Sequence, residues 1–205
     1  MKRHEIRERF NLGGAGSGYR GHTGGIGGPG NPGGSVARGL AVGGKTIYYT
    51  TDLKKETDIK DLIEALPMSK GVKFQVTPNP KLPSGKSVSG YYDSDTKTVV
   101  VGRTPSANMV AHEVGHHVYR EAKRRYGEAF SGEVTAGWVK LKRAVRDSPN
   151  KYAAAAKLGL SEYAAQNYDE FFACFYSTFT LGAVQKDILY DQFPGVSTVM
   201  EMIGG

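Results

Sequence analysis

The sequence predicts an α+β fold: a small mixed sheet packed on one helix, a mainly helical C-terminal part, and a Gly-rich tail in front. Three observations carry this. Short stretches of strand composition crowd the region from Lys45 to Val101, helical spacing dominates from Pro105 onward, and 15 of the 28 glycines fall between Gly13 and Gly44. The predicted organisation is a flexible tail over 1–44 and one domain over 45–205.

Residues 1–11 form a short charged segment. From Gly13 to Gly44 large apolar residues are almost missing, so burial gains too little to offset conformational entropy, and the segment reads as disordered. It is not a phosphate-binding loop, because no strand precedes its glycines and no lysine follows in the required place. Thr46 to Thr50 has strand composition. Asp58 to Leu66 places Leu62, Ile63 and Leu66 at helical spacing, and Val72 to Val76 alternates as a half-buried strand. Tyr91-Tyr92 and Thr98 to Val101 flank the turn-forming string Asp93 to Lys97, which predicts a hairpin. A helix should follow, with Thr104 as cap, Pro105 in the first turn, an apolar side of Met109, Val110, Val114 and Val118, and Gly127 as its stop. Ala129 to Arg146, with Trp138, predicts another helix. Pro149 and Gly159 mark the connection to an apolar helix around residue 170, and Ala183 to Gln192 and Val196 to Ile203 predict two short closing helices.

The chemistry is concentrated in His112-Glu113-Val114-Gly115-His116-His117. Side chains four apart share one face of a helix, so His112 and His116 can reach one cation. Neutral imidazoles are good Zn²⁺ ligands, and Glu113, next to the first of them, is placed to take a proton from a water. Gly115 costs about 1 kcal/mol relative to alanine in mid-helix, which implies close packing beneath the site. His117 lies off the ligand face and reads as a packing or substrate-side residue.

A catalytic zinc site needs a third protein ligand. The extended pattern HExxHxxGxxH is excluded, since Ala122 stands at the last histidine and Tyr119 at the glycine. The best candidate is Glu170, in the run Asn167 to Phe175, where a carboxylate among so many aromatics needs a cationic partner. Asp169 reads as an acid favoured by the helix N-terminus.

HEVGHH, followed by Ser161-Glu162-Tyr163 and Glu170-Phe171-Phe172-Ala173, resembles the catalytic domain of the anthrax lethal factor-like gluzincins over roughly the last hundred residues. That resemblance implies a zincin-like fold, Zn²⁺ held by His112, His116 and Glu170, Glu113 as general base, and zinc-dependent endopeptidase activity. It further implies that a tyrosine seven residues before the third ligand, Tyr163, donates to the oxyanion, with Tyr168 as its rival. An edge strand beside the helix would take the peptide or protein substrate in extended form. The sequence departs from the pattern one turn after Glu170, where Cys174 stands in place of the family's supporting acid; this thiol reads as a small buried apolar residue, or else as one that approaches the metal or senses oxidants. The segment Gly13 to His22 with Gly30 to Ser35 is similar to Gly-His-rich segments of tailed-phage head and minor capsid proteins. It implies a phage or prophage origin and contact with capsid or other virion proteins through the tail, as a tether or a cleavage tag.

With one cysteine there is no internal disulfide framework, no apolar run can span a bilayer, and Met1-Lys2-Arg3-His4-Glu5 does not open a classical signal peptide. The expectation is a soluble protein of the host cytoplasm or the virion. The net charge of +7 is concentrated in Arg120, Lys123, Arg124, Arg125, Lys140, Lys142, Arg143 and Arg146. These read as solvated helix faces, and nucleic acid is not the favoured partner. Two other functions compete with the virion-associated peptidase: a catalytically degenerate zincin-fold module binding capsid or nucleic acid, and a toxin-like peptidase acting on a host protein.

Overall fold

A computed structural model of the chain describes residues 40–42, 45–47, 52–182 and 185–204. The expected disordered tail and its capsid-like segment therefore lie outside the described residues, apart from the last few positions. Strands β1 (Leu40–Val42) and β2 (Lys45–Ile47) form an antiparallel hairpin that straddles the expected boundary at Lys45.

Helix α1 (Glu56–Ala65) buries Ile59, Leu62 and Ile63, one apolar stripe at the expected spacing. Strands β3 (Lys73–Val76), β4 (Gly90–Asp93) and β5 (Thr98–Val101) form a mixed sheet in the order β3-β5-β4. The central strand runs parallel to β3 and antiparallel to β4, with Tyr92 opposite Val99. Its central place explains why Val99, Val100 and Val101 are all buried rather than alternating. The β4–β5 turn is closed by Asp93, which accepts from the Asp95 N–H at 3.0 Å and the Thr96 hydroxyl at 2.7 Å.

Helix α2 (Ala107–Arg146) follows, broken at Gly127, whose φ of 64° and ψ of −141° no helix accommodates. The stop expected at Gly127 is thus a kink, and the second predicted helix continues directly from it. The start differs from expectation. Ser106, not Thr104, caps the helix, accepting from the Met109 N–H at 3.2 Å. The reason is tertiary: Leu53 N–H donates to Pro105 O at 2.8 Å and Asp52 bridges Ser106, so this segment is held extended and the helix begins two residues later. Then come α3 (Lys151–Lys157), a 3₁₀ turn (Glu162–Ala165), α4 (Tyr168–Leu181), α5 (Gln185–Gln192) and α6 (Pro194–Gly204). No described helix is long and apolar enough to cross a membrane.

The site is positioned by the packing of α4 on α2. Helix α4 is apolar nearly all round, burying Phe171, Phe172, Phe175, Tyr176 and Phe179, each worth about 1.5–3 kcal/mol relative to exposure. A Cβ added at Gly115 would lie 2.8 Å from Ala173 Cα, so glycine sets how closely the two helices approach. Gly137 does the same for the Phe171 ring. Trp138 Nε1 donates to Ala165 O at 3.0 Å and ties the 3₁₀ turn to α2.

This packing makes a prediction that runs against helix propensity. Propensity favours Gly→Ala in either half of α2 by about 1 kcal/mol. At Gly132, with nothing within 4 Å of an added Cβ, Ala should stabilise by about that amount. At Gly115 the clash is with backbone, and overpacking of about 1–3 kcal/mol should dominate. Thermal melts of the two variants, moving in opposite directions, check this; a rise at Gly115 would show that the helices can separate without cost.

Candidate metal centre

Three side chains converge at the α2–α4 contact. Helical periodicity puts His112 and His116 on one face of α2, and Asn167 fixes the first turn of α4 by accepting from the Glu170 N–H at 2.9 Å. Glu170 Oε2 then lies 3.1 Å from His112 Nε2 and 3.7 Å from His116 Nε2. These three residues form the group of metal-ligating type among the described residues, with one ligand atom from each lying within 4.8 Å of the others.

The donor set fits a divalent ion. Bonds of about 2.0–2.1 Å at tetrahedral angles separate ligand atoms by about 3.4 Å, between the two distances observed. Glu170 Oε2 is buried and has no hydrogen-bond partner, despite two imidazole nitrogens beside it. A buried carboxylate oxygen without a donor is costly, and a cation shared with the imidazoles would remove that cost. Burial pushes the Glu170 pKa up, but His112, His116 and Tyr163 outweigh it and hold the group below the ordinary value. Burial likewise pulls His112 down, and the surrounding groups, Cys174 first and then Glu170 and Glu113, reverse it to well above the ordinary value.

Each histidine has its own support. With Nε2 turned to Glu170, the His116 Nδ1–H donates to Asp169 Oδ1 at 3.0 Å. Asp169 therefore does more than favour a helix N-terminus, the role expected of it from sequence. His112 Nδ1 lies 3.7 Å from Cys174 Sγ, which also lies 3.9 Å from Ser161 Oγ. The thiol, expected to be a bland apolar residue, stands against the ligand that a carboxylate would otherwise orient.

Glu113 is buried, 8% exposed, next to the cluster but outside it. Burial raises its pKa, opposed by His112 and His116 and, more weakly, by the nearby backbone of Tyr92. Tyr92 thus joins edge strand β4 to the site, and its hydroxyl lies 2.8 Å from the Nδ1 of buried His117. Sequence reasoning missed Tyr92. Its place beside a turn-forming string marked a strand, but the approach of its backbone to a side chain on another element leaves no trace in composition.

The two candidate tyrosines part company. Tyr163, on the 3₁₀ turn, has its ring 6.0 Å from that of His112, and the Glu170 carboxylate lies near enough to its hydroxyl to act on it electrostatically. Burial first, and then Glu170, raise its pKa, so it keeps its proton at neutral pH. Tyr168 instead packs on Tyr119 at 5.9 Å and Trp138 at 6.2 Å.

Comparison with protein-family models, with curated proteins and with solved structures found no match to this chain.

Proposed function

We propose that the chain is a zinc-dependent endopeptidase with a zincin-like active site on α2. The observation that carries the reading is the buried, partnerless Oε2 of Glu170 facing the Nε2 atoms of His112 and His116. The order of elements supports it: a sheet whose edge strand touches the first helix, and a third ligand from a later helix packed on that one.

Zn²⁺ held by His112, His116 and Glu170 would supply Lewis acidity, easing deprotonation of water and polarising a carbonyl. The chain's own groups do the rest. Glu113 takes a proton from the attacking water, the water oxygen bonds to the peptide carbonyl carbon, and Glu113 passes the proton to the departing nitrogen as the C–N bond breaks. Its burial suits that duty, because a raised pKa brings the carboxylate nearer the pH at which it must both accept and release a proton. Tyr163, protonated and beside Glu170, donates to the oxyanion that forms on the carbonyl oxygen. Strand β4 offers its outer edge to an extended peptide, which its link to Glu113 would bring alongside the base.

The direct test is zinc per chain by elemental mass spectrometry, together with cleavage of a mixed peptide pool. About one zinc per chain, with cleavage abolished by a chelator and restored by Zn²⁺, is the expected result. No zinc after reconstitution would sink the reading. Tyr163→Phe should lower kcat by about 10²-fold with zinc content unchanged. A kcat within a few-fold of the unsubstituted chain would take the oxyanion role from this residue.

A further inference from the structure

One to two turns beyond His116, α2 and the start of α4 border an open surface cavity of about 550 Å³ lined by Tyr119, Arg120, Lys123, Arg124, Tyr168 and Asp169. Helical geometry explains its place. Tyr119 and Lys123 follow His112 by seven and eleven residues, and Arg120 and Arg124 stand in the same relation to Glu113. The cavity thus continues the face of α2 that carries the histidines and the base. Asp169 joins the two, lining the cavity while its Oδ1 contacts His116 Nδ1 at 3.0 Å.

Three cations line this cavity against one carboxylate, and that carboxylate is engaged by His116. Arg124 is held by Glu121 at 2.7 Å, and Glu121 also binds Lys97 at 3.2 Å. Arg120 and Lys123 make no ion pair among the described residues. The cations of the second half of α2 differ, since Lys140 lies over the Phe193 ring and Lys142 over Trp138. Tyr168, 44% exposed, adds an open aromatic wall.

We propose that this cavity is a substrate subsite for an acidic side chain, Asp or Glu, of the extended peptide. The inference rests on the peptidase reading. An extended chain advances about 3.3 Å per residue, and Asp169 stands one side chain from His116, so the acidic residue sits within about three positions of the scissile bond. Two unpaired cations in a concave, tyrosine-walled site favour a single carboxylate. A phosphodiester backbone, with one charge per nucleotide, would need a track of free cations continuing along the helix, whereas Arg125, Lys140 and Lys142 lie over aromatic rings and Arg146 pairs with Asp147.

The test uses two fluorescein-labelled decapeptide pools of the same random composition, one with Glu and the other with Gln at every third position. Binding is measured by anisotropy on the full-length Glu113→Gln chain, and kcat/KM on the full-length zinc-loaded chain. The Glu pool should bind about tenfold tighter, the effect of one charge-assisted hydrogen bond, with the preference weakening as salt rises. The exposed double substitution Arg120→Ser with Lys123→Ser should bring the two pools within about threefold of each other, the thermal melt being unchanged. Equal binding of the pools, no binding of the Glu pool, or a preference that survives the double substitution overturns the subsite. Displacement of the Glu pool by a single-stranded oligonucleotide at lower concentration than by unlabelled Glu peptide also overturns it. Turnover without acidic preference removes the subsite and keeps the peptidase; acidic preference without turnover keeps the acidic cavity and removes the peptidase.

Discussion

Glu113→Gln is expected to cut peptide turnover by about 10³-fold or more while zinc stays bound. The substitution keeps the shape of the side chain, so the base's seat survives. It removes the ability to accept a proton, the one property the reaction needs from this side chain. Glu113 lies outside the group formed by His112, His116 and Glu170, which is why metal content should remain near that of the unsubstituted chain. Loss of a buried carboxylate beside two histidines also relieves its own desolvation, so the melting temperature should hold or rise. Turnover within tenfold of the unsubstituted chain would show that another group takes the proton and would end the assignment.

That this residue could be named from sequence at all reflects how local the motif is. His112, Glu113 and His116 sit within five residues of one helix, and the 3.6-residue repeat alone decides their relative directions. Glu170 as a candidate was legible for a different reason: a carboxylate in an aromatic run calls for a cationic partner, and the structure brings it beside His112 and His116. The groups that orient these residues were less legible. Asp169 carries two meanings at once, first-turn acid and partner of His116, and composition reveals only the first. Cys174 acquires its partner because Gly115 lets α4 approach so closely, a distance no sequence pattern states. The sheet divides in the same way. The β4–β5 hairpin followed from its turn residues, whereas the parallel pairing of β3 with β5 depends on a long crossing loop and could not be read. The basic residues after His116 read as a solvated face and are exposed in the structure; that the start of α4 borders the same surface was not legible.

The second large effect should fall on metal affinity, in two unequal steps. If zinc at 100 times its dissociation constant is present, binding stabilises the fold by about 2.7 kcal/mol, or about 5–11 °C in melting temperature for a chain of this size. Asp169→Asn keeps the volume and removes the charge that holds the His116 Nδ1–H, a change that typically weakens a metal site about 10–100-fold. At the same zinc concentration the stabilisation then falls to about 1.4 or 0.4 kcal/mol, leaving a zinc-induced shift of at most about 6 °C. Glu170→Ala removes a ligand instead of its support, and the shift should vanish. Without zinc, Glu170→Ala should also lower the melting temperature, because His112 and His116 hold the carboxylate ionised and the substitution leaves them without it. The two substitutions therefore separate a coordinating carboxylate from an orienting one by calorimetry alone, with no substrate needed. Equal zinc shifts in both variants would place the third ligand elsewhere.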